Sequence, residues 1–221
     1  MPESFHWDGT LAADAATVWD AITRHTAGWL WNIEYEPHLG GAERGLTPDG
    51  GIVTAWQPGR HFRTRAERAD GWFNELDLRL EPAGDQGTHL HFTQTAADLA
   101  DDREYAQCAA HTDFYLRSLD AYLRWFAGRP ARCLDFEVPG TFSDVCSRVF
   151  PRDAEIYYRT LHFLGLRTDD TIVRVFGRDA WGGSVGISVH LLQSDAARAD
   201  AVAADWQAWA DSGATTEAVP V

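Results

Sequence analysis

The 221 residues carry 19 basic and 33 acidic side chains, a formal net charge of −14, and every basic residue is an arginine. Without lysine there is no Schiff-base amine and no phosphate-loop ammonium, and the acidic excess excludes nucleic acid and anionic membrane as partners, both of which need clustered cations. The length suits one large domain, or a medium one with an appendage, and the 10 Trp, 11 Phe and 6 Tyr make the chain rich in aromatics.

Residues 5–11 read as a first strand. Asp14 is placed to cap a helix with Val18, Trp19 and Ile22 on one side, and Gly28 lies shortly beyond its end. Trp29, Leu30, Trp31 and Ile33 make an aromatic connection or a short second helix. After Pro37 and Gly40-Gly41 the apolar period drops to two, predicting strands over 52–57, 60–67, 73–81 and 88–95 with turns at Pro58-Gly59, Ala69-Asp70-Gly71 and Pro82-Ala83-Gly84-Asp85. Leu76, Leu78 and Leu80 share one face of the third strand; Leu90 and Phe92 oppose His89 and His91 on the fourth. Such an antiparallel meander is buried on one side and wet on the other.

The strongest periodic element is a helix over 102–127, with Tyr105, Cys108, Ala109, Thr112, Leu116, Leu119, Leu123 and Phe126 in one stripe and Gly128 and Pro130 at its end. A long amphipathic helix after an antiparallel sheet covers the sheet's apolar face. The expected fold is therefore α+β, a helix-grip domain over 1–130, with room for a ligand between helix and sheet. Phe114 and Trp125 lie opposite the stripe and call for a cover. Strand patterns at 154–161, 163–166, 171–176 and 184–192, and a helix capped by Asp195, predict a small α+β appendage over 131–210. Residues 211–221 lose the apolar pattern and read as a flexible tail.

The N-terminal pattern Thr10-Leu11-Ala12-Ala13-Asp14, then Val18-Trp19-Asp20-Ala21-Ile22-Thr23, resembles the opening of START-like helix-grip proteins. Glu36-Pro37, Gly40-Gly41, Gly51-Ile52-Val53, Glu75-Leu76, Glu81-Pro82 and Gly87-Thr88 come next, at spacings similar to the branch related to the Aha-type heat-shock ATPase activator. The resemblance covers about residues 5–127, and the segment after Arg132 looks like an extension carried by a bacterial subgroup. The resemblance implies binding of an apolar ligand between sheet and helix; some such proteins are cyclases or aromatases. Where many members have Gly-Trp early in the long helix, this chain has His111-Thr112, and loss of the Trp would enlarge the cavity.

Candidate chemistry is sparse. Gly182-Gly183-Ser184-Val185-Gly186 fits the string of a hydrolase nucleophile elbow, but a strand pattern follows it where a helix is required, so a glycine turn into a strand is expected. His89 and His91 sit two apart on one strand face; with no Cys or carboxylate at ligand spacing they read as a solvated pair, and no metal or cofactor is expected. His111 and Tyr115, four apart on the long helix, are the candidate catalytic pair, His111 as acid/base and Tyr115 as an orienting hydroxyl, unless both simply pack. Trp29, Trp31, Trp56, Phe62, Tyr105, Thr112 and Leu116 are the candidate ligand-binding residues, though the aromatics can equally fill the space. Arg60, Arg63, Arg65 and Arg68 can receive a ligand carboxylate or be balanced by neighbouring acids.

Cys108, Cys133 and Cys146 are an odd set without Cys-x-x-Cys spacing, which predicts reduced thiols and a cytoplasmic protein, with Cys108 an inert core thiol. The start, Met1-Pro2-Glu3-Ser4, does not read as a signal peptide, and no apolar run approaches the ~20 residues of a membrane span. The partner expected is a small hydrophobic or aromatic molecule. The alternatives are a cyclase or aromatase acting on a polyketide-like substrate, and a protein-binding module of the chaperone-activator kind.

Overall fold

Alternating apolar residues hide one face of the longer strands in the N-terminal half, and these strands pair so that those faces coincide. The computed structural model describes residues 3–84, 87–96, 102–150, 153–192 and 195–213. Asp85 of the expected third turn and the start at Met1-Pro2 lie outside the described residues. The chain divides into two units, Met1–Thr26 with Leu30–Gly128, and Ala27–Trp29 with Arg129–Val221.

In the first unit β1 (Glu3–Leu11), β2 (Glu34–Tyr35), β3 (Ala42–Arg44), β4 (Gly51–Gln57), β5 (His61–Glu67), β6 (Phe73–Ala83) and β7 (Gly87–Ala96) form an antiparallel sheet in the order β1-β7-β6-β5-β4-β3-β2. β2 and β3 are too short to carry a readable period. The register sets Leu78 beside Phe92 and Leu80 beside Leu90, so the inward side chains stack in rows across the sheet. Leu11, Val53, Phe62, Leu78, Leu80, Leu90 and Phe92 are all buried.

The helix α1 (Ala15–Thr23) begins where expected. The Asp14 carboxylate accepts from the Thr17 backbone N–H at 2.9 Å and from its hydroxyl at 3.1 Å, satisfying the open first turn. Its buried residues Val18, Trp19, Ala21 and Ile22 face β6, β7 and the long helix α2 (Asp102–Trp125), which also packs on β1. Together these elements make an α+β helix-grip fold.

On α2 the stripe residues Thr112, Leu116, Leu119 and Leu123 are buried, as is Phe126 just past its end, and so is a second row, Phe114, Ser118, Ala121 and Tyr122. Phe114 and Trp125 share an azimuth, but only the first is covered; Trp125, in the last turn, is 42% exposed. Gly128 adopts a left-handed φ of 77° where the helix stops, a conformation that costs glycine nothing.

The second unit holds β8 (Arg132–Val138), β9 (Glu155–Arg159), β10 (Phe163–Arg167), β11 (Thr171–Phe176) and β12 (Val185–Leu191), antiparallel in the order β8-β12-β11-β10-β9, with α3 (Phe142–Cys146) and α4 (Ala196–Asp211). Val173, Val175, Ile187, Val189, Leu164 and Leu166 meet Trp206 and Trp209 of α4 in one core. Asp195 caps α4 through the Ala197 and Arg198 N–H groups. β8 and α3 add to the elements that periodicity indicates. Of the tail expected over 211–221, Asp211 closes α4, and residues 214–221 lie outside the described residues.

Gly182, with φ 87°, turns a short 3₁₀ segment (Arg178–Trp181) into β12. Ser184 therefore leads into a strand and not into a helix. The elbow geometry is not present at this serine.

Candidate functional site

The first unit contains a cavity of about 300 Å³, at the lower end of the range for small-molecule sites. Tyr105, Cys108 and Ala109 come from the first half of α2. Phe5 comes from β1, Asn74 from β6, and Gln94 and Ala96 from β7; Leu46, Thr47 and Pro48 come from the β3–β4 loop, and Arg68 and Trp72 from the β5–β6 turn. Ala96, Cys108 and Ala109 are small, which is why helix and sheet leave space between them here.

The wall carries an ordered run of polar groups. The Thr112 hydroxyl donates to Gln94 Oε1 at 2.8 Å, and Gln94 Nε2 donates to Asn74 Oδ1 at 3.0 Å. The run ends on Asn74, whose side chain is part of the cavity lining. The Tyr105 hydroxyl is committed to the Ser4 carbonyl at 2.9 Å. Arg68 Nε donates to Asp49 Oδ2 at 2.7 Å, and its guanidinium lies 4.5 Å from the centroid of the Trp72 ring, a cation–π contact that fixes both side chains.

Behind the loop wall lies a residue the sequence did not mark. Glu43, on β3, is 1% exposed, and its Oε1 accepts from the Leu46 N–H at 2.7 Å. Its Oε2 is buried without a hydrogen-bond partner. Burial pushes the carboxyl up from the ordinary glutamate range, opposed by the Leu46 and Thr47 backbone bonds. A lone acid in a two- to three-residue strand has no pattern to betray it.

The residues expected to bind ligand disperse. Tyr105 lines the cavity, and Thr112 stands behind Gln94. Trp56 and Phe62 pack edge-to-face with each other, with Trp19 (centroids 5.0 and 6.1 Å) and, from Phe62, with Tyr35 (4.7 Å), so that region under the sheet is filled by its own aromatics. Trp31 donates to the Gly45 carbonyl at 2.6 Å and meets Tyr115 at 5.5 Å. His111 Nδ1 bonds the Gln107 carbonyl at 2.8 Å, and its ring centroid is 6.4 Å from that of Tyr115. Neither His111 nor Tyr115 is in the cavity lining. Leu116 is core, and Trp29, also buried, is grouped with the second unit.

Cys108, read as a core thiol, is half-buried and forms part of the cavity wall. Of the basic stretch, Arg63 and Arg65 face Asp77 and Glu67 with Glu75, while Arg68 reaches the lining. His89 and His91 lie on the sheet face opposite Leu90 and Phe92, away from the cavity.

The second unit gathers another polar set across its sheet. Ser188 donates to Asp135 Oδ1 at 2.5 Å, the Cys133 thiol is 3.7 Å from Asp135 Oδ2, and His190 Nδ1 bonds the Ala27 carbonyl at 2.7 Å. Burial, then Asp135, pushes the Cys133 thiol up to about 12; burial, then Arg174, holds the His190 imidazole well below its ordinary value. Thiol and imidazole are both neutral near pH 7, so Cys133 does not present a thiolate.

The family profile described as "Activator of Hsp90 ATPase homolog 1-like protein" matches residues 12–124, just over half of the chain. The chain belongs to that family. The matched span covers α1, most of the first sheet and nearly all of α2, and includes every lining residue of the cavity except Phe5. Solved structures similar to it include the protein MLL2253 from Mesorhizobium loti (16% identity, TM-score 0.49, 55% of this chain and 97% of that one). DynU16, of the dynemicin biosynthetic locus, is similar at 14% identity and TM-score 0.47 over 88% of this chain and 90% of that one. The Aha1 dimer from Colwellia psychrerythraea is similar at 19% identity and TM-score 0.45 over 55% and 96%. No curated protein matches the chain in sequence. Among the described residues, no helix of this Hsp90-activator-homologue-like chain is long and apolar enough to cross a membrane.

Proposed function

We propose that the first unit binds a small apolar or aromatic molecule in the cavity between α2 and the sheet, with the Asn74 amide meeting a polar edge of the guest. The observation that carries this reading is the lining itself: carbon surface from Phe5, Leu46, Pro48, Trp72, Ala96 and Ala109, with a few placed polar groups. Binding is favoured over a cyclase or aromatase because, among the described residues, no carboxylate or imidazole is in the lining, and the Tyr105 hydroxyl is engaged by Ser4. No disulfide joins Cys108, Cys133 and Cys146, which fits a reducing compartment and supports placing the protein in the cytoplasm.

The test is titration of the full chain with 1-anilinonaphthalene-8-sulfonate, read by probe fluorescence and by Trp emission with Trp72→Phe as the control. Micromolar binding that weakens at least tenfold in Ala109→Trp, which fills the cavity, is the expected result. Equal binding by a folded Ala109→Trp would sink the reading. The family description favours a second reading, contact with a heat-shock ATPase; a stable complex in pull-down that survives Ala109→Trp would establish it instead.

A further inference from the structure

We propose that Asp8, His89 and His91 form a site for a divalent transition-metal ion of the zinc class, on the outer face of the first sheet. On β7 the period of two sets His89 and His91 on the face opposite Leu90 and Phe92. The sequence offers no carboxylate near them. The antiparallel pairing supplies one: β1 runs beside β7 in a register that sets Asp8 opposite His91 and Thr10 opposite His89. Residues about 80 positions apart in the chain thereby become neighbours.

One ligand atom from each of the three residues lies within 4.8 Å of the others. Asp8 Oδ1 contacts His91 Nδ1 directly and is 3.8 Å from His89 Nε2, and the two rings are 4.5 Å apart. The second nitrogen of each ring is also directed to an oxygen. His89 Nδ1 is 3.4 Å from the Thr10 hydroxyl, and His91 Nε2 is 3.8 Å from Glu81 Oε2. Each imidazole thus turns one nitrogen to Asp8 and the other to an outer oxygen, the arrangement that orients metal-binding histidines.

Bonds of about 2.0–2.2 Å to nitrogen and oxygen draw ligands closer than this spread, a change that side-chain torsions can absorb on a fixed pair of strands. Two imidazoles and one carboxylate suit Zn²⁺, Ni²⁺ or Cu²⁺ and not Mg²⁺ or Ca²⁺, which take oxygen ligands. Three protein ligands leave coordination positions for water. Arg79, the cation registered beside His91 on β6, is engaged by Asp77 at 3.1 Å, and the chain's charge of −14 draws cations to its surface.

Isothermal titration of untagged full-length protein with ZnCl₂ tests the proposal. We expect one site of micromolar affinity that persists in excess MgCl₂ and weakens at least tenfold in His89→Ala and in His91→Ala. Binding as tight in the His89→Ala/His91→Ala double variant as in the parent would overturn it, since the metal would then sit elsewhere, on the thiols for example. Cu²⁺ added to the parent protein gives a check that needs no variant. Its paramagnetic broadening should be strongest at the amides of Asp8, His89 and His91, and broadening centred elsewhere would equally overturn the proposal.

Discussion

Burial of Glu43 behind Leu46 and Thr47 raises its carboxyl above the ordinary value of 4.5, because solvent no longer stabilises the charged form. Between 4.5 and the raised folded value the native chain holds a proton that the unfolded chain has released. Stability therefore falls as pH rises through that window, and the loss is complete above the folded value. Glu43→Gln keeps an oxygen to accept from the Leu46 N–H and removes the titration. Its melting temperature should exceed that of the parent at about pH 8 and converge with it at about pH 4, where glutamate is protonated in both states. Thermal melts at the two pH values check this; a difference that does not change with pH would refute it.

The first helix shows how much of an element local sequence can specify. Asp14 is the cap residue by type, and Val18, Trp19 and Ile22 follow at helical spacing, so both the start and the buried face are legible. Asp14→Ala should cost about 1 kcal/mol of stability near pH 7, measured by urea denaturation. The Asp14 carboxyl is held below its ordinary 3.8 by the Thr17 backbone and side-chain bonds. Its contribution is accordingly present above 3.8 and fades as pH falls through the lowered folded value, so parent and variant should converge in acid. A penalty unchanged in acid would show that the capping charge plays no part. α2 is legible in the same way along one stripe. Its second buried row, at Phe114, Ser118, Ala121 and Tyr122, is not, because burial on two sides erases the amphipathic contrast that a stripe depends on.

Across the whole molecule the excess of 14 negative charges works against compactness. Raising ionic strength from about 0.01 to about 0.15 M shortens the screening length from roughly 30 to roughly 8 Å. That should raise the melting temperature by a few degrees, as read by differential scanning calorimetry. A fall would mean that surface pairs such as Arg68–Asp49 and Arg124–Asp120 outweigh the long-range repulsion.

Periodicity and residue type together indicated the α+β class, the inward faces of β6 and β7 and the capped start of α1, since faces and caps depend on neighbours within a few residues along the chain. The division of the aromatics did not follow from it. Trp56 and Phe62 fill their space because α1 delivers Trp19 and β2 delivers Tyr35 against them, whereas small residues at 96, 108 and 109 leave the cavity open at the other positions. Asp8 likewise meets His89 and His91 only once β1 has chosen its register on β7. Filling, opening and clustering are set by which distant segments come together, and a one-dimensional period carries no information about that choice.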